Sequence, residues 1–402
     1  MIHALEAEKF IMESAALLPI VQLPLSEVNG KVLRENIYAD RAFPPFDRVT
    51  MDGIAIQSEA YLAGKRSFKV EGLQAAGMPQ LTLDESENCL EVMTGAVLPC
   101  NADAVIPYEY TKKEGDAIVV EEYPVAKGKN VHNKATDRKE GECLLKSGQV
   151  ITAAEIGVLA SVGKTDVMVS RIPKFAIIST GDELVDVGET PMPYQIRRSN
   201  IYSICSLLQQ YGVKGLPFHL EDDKAIIHDK LDRILQLFDV VVLSGGVSKG
   251  KLDFIPEVLE ELGVEKHFHK VKQRPGKPFW FGSHKETSTT IFALPGNPVS
   301  TFMCIFRYVV PWLKKSLGMD LLPILKATLT EDFTFDKPLT YFLQVKVSIS
   351  EKGQWEATPM TGNGSGDFAN LTDADAFMEL PMEKDIFKKG EVFPIWLFKP
   401  IL

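Results

Sequence analysis

The chain has 402 residues, 45% of them hydrophobic, and a formal net charge of -10. That is enough apolar material for several cores in roughly two to four domains. The acidic balance argues against general nucleic-acid binding, which needs a basic face to displace counterions. Five scattered cysteines without CxxC spacing imply neither a disulfide framework nor a zinc site.

The first residues, MIHALEAEKFIMES, carry Glu6, Glu8 and Lys9 where a secretory signal needs an apolar run. Apolar positions at helical spacing (Leu5, Ile11, Ala15, Leu18) predict a helix over residues 3–18, closed by Pro19. A short strand is expected over Lys31 to Ala39, ahead of the linker AFPPFDRVTMDGIAI. Residues 55–135 hold short alternating runs (SFKVEGL, CLEVMTG, DAVIPYEY, AIVVEEY) between glycine, proline and charged turns, the pattern of a small β domain. TAAEIGVLASVG then reads as a helix ending at Gly163, and DVMVSRIP as a strand. These two segments are expected to pack with the N-terminal helix, which makes the β domain an insertion.

From Lys174 the pattern changes to alternating strands and helices: FAIIST, SNIYSICSLLQQYG, VKGLPFHL, DDKAIIHDKLDRILQLF, DVVVLSG and DFIPEVLEELG. Such alternation implies right-handed βαβ units and a mostly parallel sheet, with ligands at the carboxyl ends of its strands. The longest apolar stretch, Phe302 to Leu313, is broken by Arg307 and Pro311 and is shorter than the roughly 20 residues of a membrane span. Short strands return from Pro323 to the end, predicting a second small β domain. The expectation is a cytoplasmic protein that engages neither membrane nor nucleic acid.

Four polar stretches in or near the α/β region carry the chemistry. STGDEL follows a buried strand, so Asp182 and Glu183 sit either at a solvated turn and helix cap or where carboxylates hold a hydrated magnesium ion beside a phosphate. Gly245 to Lys251 fits the GxxxxGK part of a phosphate-binding loop, but Leu252 stands where a nucleotide-hydrolysing loop needs a hydroxyl for magnesium. Asp253 follows, either as a metal ligand or as the cap of the helix DFIPEVLEELG. Lys270, Lys272, Arg274 and Lys277 fall within eight residues around the turn RPGKP, either a solvated basic edge or an anion pocket. In LPGNPVS, Asn297 is placed to cap a helix with Pro298 at its first position, and its free amides and Ser300 form a ready oxyanion site. Together these features describe a site for a phosphorylated or oxyanionic small molecule with a divalent metal.

With those residues in view, the sequence resembles the MoeA-type molybdopterin molybdenumtransferases, the family that includes the gephyrin E domain. PPFDRVTMDGIA, EVMTGAVLP, STGDEL, LSGGVSKGKLDF, RPGKPFWFG and LPGNPVS carry the resemblance, in order from residue 44 to 300. It implies a multidomain α/β plus β fold: a split helix and strand domain (1–43 and 138–172), an inserted β domain (44–137), a molybdopterin-binding α/β domain with a mostly parallel sheet (173–319) and a C-terminal β-barrel-like domain (320–402). The implied reaction is insertion of molybdenum from molybdate into adenylylated molybdopterin, with release of AMP and dependence on Mg2+ or a similar divalent cation. The implied assembly is a homodimer whose cleft joins the α/β domain of one subunit to the inserted domain of the other. Contacts with other proteins of molybdenum cofactor biosynthesis are implied as well.

Carried over motif by motif, the resemblance assigns catalysis to Asp253, Glu183, Asp52, Thr94 and Asp137, with Glu183 and Asp253 as metal ligands. Substrate binding falls to Thr180, Gly181, Asp182, Ser244, Gly245, Gly246, Ser248 and Gly250, and to Asp222 or Asp223. Lys270, Arg274 and Lys277 match basic positions for anionic substrate, and Pro295, Gly296, Asn297, Pro298 and Ser300 the turn beside molybdate. The chain departs from the family with Ile54 in place of tyrosine, Thr50 in place of a smaller residue, and Arg274 in place of lysine, which alters geometry but keeps charge. Two alternatives stand beside the transferase: a molybdopterin adenylyltransferase, whose stand-alone forms lack the flanking β domains, and a non-catalytic dimeric scaffold, which should come with linkers or partner domains.

Overall fold

The structure is a computed structural model that describes residues 1–247, 253–360, 362 and 364–399. The predicted Ser248 and Gly250 lie outside the described residues. The chain divides into two compact units, one of residues 1–34, 148–152 and 167–402, the other of residues 35–147 and 153–166. No helix among the described residues is long and apolar enough to cross a membrane.

The first unit opens with helix α1 (Ala4–Ser14), shorter than its periodicity suggests. Its buried stripe is Ala4, Ala7 and Ile11, while the expected anchor Leu5 is exposed. The last turn closes early because the Ser14 hydroxyl donates to the Ile11 carbonyl and Lys315 Nζ to that of Met12. The strand expected over 31–39 is broken as well. Val32 and Leu33 make isolated bridges, and only Ile37–Tyr38 is a strand, because the chain leaves the first unit after Arg34.

The α/β region runs β1 (Phe175–Thr180), α2 (Ser199–Gln209), β2 (Gly215–Leu220), α3 (Lys224–Leu237), β3 (Val240–Ser244), α4 (Ile255–Glu261), β4 (Val264–His269), β5 (Gln273–Arg274), β6 (Trp280–His284) and β7 (Thr289–Leu294). Six of these strands form a sheet in the order β2-β1-β3-β7-β6-β4. The pairs among β2, β1, β3 and β7 are parallel, and β6 and β4 extend the sheet in antiparallel register. Alternate residues feed two cores: Phe175, Ile177, Val240 and Val242 pack on α2, and Ala176, Ile178, Val241 and Leu243 pack on α3 and α4. Burial on both faces explains why these strands read as continuous apolar runs.

After β7 come α5 (Pro298–Cys304), a π-helical turn (Ile305–Val309) and α6 (Val310–Ser316), where sequence periodicity suggests one uninterrupted helix. Arg307 in the π turn is 2% exposed and pairs with Glu8 of α1 and with Glu379. The chain ends in β8 (Lys326–Leu329), β9 (Thr340–Ile349), β10 (Trp355–Pro359), β11 (Ala376–Leu380) and β12 (Val392–Leu397). β9-β10-β8-β12-β11 closes on β9 as a five-stranded barrel around Leu329, Leu343, Val345 and Met378. Two-residue β5, from the α/β region, pairs in parallel with the start of β9, Gln273 opposite Thr340 and Arg274 opposite Tyr341.

The second unit is built on a six-stranded sheet ordered Ala104–Pro107, Gly53–Ile56, Cys89–Val92, Ser67–Gln74, Ala117–Val120, Thr111–Glu114. Ile54 and Ile56 pack with Phe68 and Ile106 on one face, and Ala55 with Val92 and Val105 on the other. The period-two alternation that predicted strands here is thus a sheet with a core on each side.

Candidate active site

β1 and β3 are parallel neighbours, so the loops after Thr180 and Ser244 leave the same edge of the sheet, where an α/β fold places ligands. A cavity of about 330 Å³ opens there. Thr180, Gly181 and Glu183 line it from the first loop, Ser244, Gly245, Gly246 and Asp253 from the second, and Pro295, Gly296, Asn297 and Pro298 from the start of α5. Gly245 has φ +109°, and a Cβ there would lie 2.7 Å from Thr180 Oγ1, so the backbone approaches that hydroxyl more closely than any side chain permits. Thr180 Oγ1 is itself buried and has no hydrogen-bond partner among the described residues.

The carboxylates separate by task. Asp223 accepts from the Ile226 amide and caps α3, whereas Asp222 lines the cavity. Asp182 accepts from the Asp222 amide at 3.1 Å and lines an adjoining recess with His219 and Glu221. Burial first, then the charges of Asp182, Glu183 and Asp253, push the Asp222 carboxyl above the usual aspartate range. Asp253 does not cap α4, because the N-cap is Phe254 and the helix starts at Ile255. No helix follows STGDEL either: Leu184–Val185 pairs with Ile196–Arg197 as a two-stranded ribbon. Neither helix cap weighed for these carboxylates is present.

A cluster of acids that repel one another beside an unpartnered buried hydroxyl fits a hard divalent cation. Among the described residues no three His, Cys, Asp or Glu side chains converge as a ready cage. The fit is therefore to an ion such as Mg2+ that keeps waters and takes oxygens from a substrate phosphate.

Two features of this cavity escape motif reading. Arg197, Arg198 and Asn200 line it from a stretch that reads only as loop and helix start. Arg198 is fixed by a 2.7 Å pair with Asp186. Asn200 Nδ2 donates to Ser244 Oγ and to the Gly296 carbonyl, both at 2.8 Å, and so ties the glycine loop to the PGNP turn. An arginine pair followed by Ser-Asn at a helix start was the available signal.

A second cavity, of about 600 Å³, lies in the same unit between the RPGKP turn, α5 and the barrel. Arg274, Lys277 and Ser300, expected at the anion site, line it together, and the barrel region adds Lys337, Tyr341 and Gln344, which no motif pointed to. Among the described residues no acidic side chain lines it. The Arg274 guanidinium lies 5.9 Å from the Phe335 ring centre, and Phe335 stacks on Tyr341 at 4.2 Å, which steadies the arginine. Asn297 Nδ2 donates to Ser365 Oγ rather than capping α5 through its side chain. Lys270 lines neither cavity; its backbone bonds Phe279 and Ile2.

In the second unit, Asp52 Oδ1 accepts from the Thr94 amide at 2.6 Å and its hydroxyl at 2.7 Å, bonds that hold the Asp52 carboxyl below its ordinary range. Asp137 lies 3.1 Å from His132 Nε2, whose Nδ1 meets Arg48 Nη2 at 3.2 Å.

The MoeA N-terminal region (domain I and II) matches residues 2–163, a probable molybdopterin binding domain residues 176–315, and the MoeA C-terminal region (domain IV) residues 326–398. A Synechocystis sp. protein named molybdopterin molybdenumtransferase is 43% identical over 369 residues, covering 91% of this chain and 92% of that protein. One of the same name from Staphylococcus aureus is 32% identical over 403 residues, covering 98% and 94%. The crystal structure of the molybdopterin biosynthesis MoeA protein from Pyrococcus horikosii superposes with a TM-score of 0.85 at 31% identity over the full length of both chains. The chain belongs to the MoeA family.

Proposed function

We propose that the protein inserts molybdenum from molybdate into adenylylated molybdopterin and releases AMP, with Mg2+ or a similar divalent cation in the acidic cavity. The observation that carries this reading is the pairing of an acidic and a basic cavity that share Pro278, Pro295 and Asn297 in their linings. A phosphate-linked pterin that reacts on a cation needs carboxylates to hold that cation, a tetrahedral dianion needs cations and donors, and two cavities with a common rim supply both.

Glu183 and Asp253 would hold the cation, which when bound neutralises charge on phosphate oxygens as the link to AMP is cleaved. The backbone at Gly245 and Gly246 approaches and orients the phosphate, and Arg198 supplies positive charge on the same wall. Arg274, Lys277, Lys337 and the Ser300 hydroxyl replace the hydration of molybdate and hold it clear of the carboxylates. The assembly in this reading is a homodimer in which a second copy contributes Asp52, Thr94 and Asp137.

The test is purified protein given adenylylated molybdopterin, molybdate and Mg2+, with AMP release and molybdenum incorporation measured together. The two are expected to rise in step. AMP that appears only when ATP and free molybdopterin are supplied overturns the reading in favour of adenylyl transfer.

A further inference from the structure

The turn that carries Arg274 and Lys277 is held from beneath by a buried relay. Gln273 is fully buried, and its Nε2 donates to the Gly276 carbonyl at 3.1 Å. Its Oε1 accepts from the hydroxyl of Tyr308, a buried residue of the π turn. The Gly276 carbonyl can only accept, so the donor end of the amide faces the turn and its oxygen faces the phenol, which donates to it. Nε2 also lies 3.6 Å from Cys304 Sγ, so the Tyr308 bond is the one that holds the oxygen end. The turn has little room to settle elsewhere: Gly276 has φ +89°, and a Cβ there would meet Cys304 Sγ and Gln273 Nε2 at 2.7 Å and Met303 Cε at 2.9 Å.

The π turn makes this arrangement. Met303 and Tyr308 are five residues apart, the spacing a π turn brings onto one face, and both lie against the 273–276 turn. The next residue back, Arg307, reaches Glu8 and Glu379 instead. The widened turn thus serves two neighbours at once, and wide turns of this kind recur at functional sites.

We infer that Tyr308, acting through Gln273, is a positioning residue for the basic turn and sets the affinity of the second cavity for its tetrahedral oxyanion. The inference rests on the proposed function. Without the phenol Gln273 Oε1 is left buried without that donor, the amide is held only at its Nε2 end by Gly276 and Cys304 Sγ, and the turn that carries Arg274 and Lys277 is held less firmly.

Full-length Tyr308→Phe keeps the ring in its packing and removes only the donor. At saturating adenylylated molybdopterin, the molybdate KM is expected to rise about tenfold with kcat held within about twofold. The KM for the pterin nucleotide, which belongs to the other cavity, should stay put. Gln273→Met, which keeps the length of the side chain and removes the donor to Gly276 without adding charge to the cavity that Gln273 lines, should raise the molybdate KM in the same way and decides the matter if Tyr308→Phe folds poorly. A lower melting temperature with unchanged molybdate KM overturns the inference and leaves a packing role only. Direct titration with molybdate separates the two levels: wild-type protein that binds no oxyanion overturns the functional reading and this inference with it. Wild-type and Tyr308→Phe proteins that bind it equally overturn this inference alone.

Discussion

The two cavities of the first unit share part of their lining and differ in sign. One sets Glu183, Asp222 and Asp253 against Arg197 and Arg198, while the other is lined by Arg274, Lys277 and Lys337 with no carboxylate among the described residues. The difference is what a two-substrate site for anions requires. A phosphate can approach carboxylates only where they hold a cation, and a tetrahedral dianion without one is better placed among lysines, where no metal would bind. Pro278, Pro295 and Asn297 on the common rim are short or stiff, so the cavities can lie close without a flexible charge reaching across.

That division can be broken one cavity at a time. The largest effect is expected from Asp253→Ala: turnover should fall by on the order of 10²–10⁴ while molybdate still binds with native affinity. Retained turnover would remove Asp253 from the chemistry. Gly245→Ala comes next, because the added methyl lands on Thr180 and the backbone is strained at positive φ. The KM for the adenylylated substrate should rise about tenfold or more, again with oxyanion binding intact. Lys337→Ala should act in the opposite sense, weakening molybdate about tenfold, with a smaller dependence of the remaining affinity on salt and no change in the pterin nucleotide KM. An effect of Lys337→Ala on both substrates would mean the cavities are one site.

The smallest effect is thermodynamic. The Asp222 carboxyl is raised in the folded protein, so the folded state keeps a proton that the unfolded chain has released. Stability should therefore fall as pH rises through the window just above the ordinary aspartate range, and Mg2+ should restore it above that window but not below. Asp222→Asn should raise the melting temperature of metal-free protein near neutral pH by about 2 °C and blunt the response to Mg2+. A calorimetric melt with and without Mg2+ at two pH values checks this without any turnover.

Much of this was legible in the sequence, and the gaps have physical causes. Strand and helix alternation from Lys174 onward pointed to the loops after Thr180 and Ser244, and those loops share one sheet edge. LEDDK could not say which aspartate faces the site, because capping depends on where α3 begins, and that begins one residue after Asp223. Asp253 read equally as a cap until α4 was seen to start at Ile255. Lys337, Tyr341 and Gln344 were invisible for a different reason. Their place beside Arg274 depends on a two-residue parallel pairing across more than sixty positions, and so short a strand leaves no periodic trace. The π turn hides likewise, since one widened turn barely alters helical spacing.

The pairing of β5 with β9 makes the C-terminal barrel inseparable from the substrate site. A protein trimmed before the barrel would keep Glu183, Asp222, Asp253 and the glycine loop, yet would leave Gln273 and Arg274 without their β9 ladder partners, would lose Lys337, and would strip Glu379 from the buried Arg307. Exchange of barrels between relatives faces the same obstacle, because each barrel must supply both a strand register and a cation for the host's turn. Such chimaeras should fail first in capturing the oxyanion, well before they fail to fold.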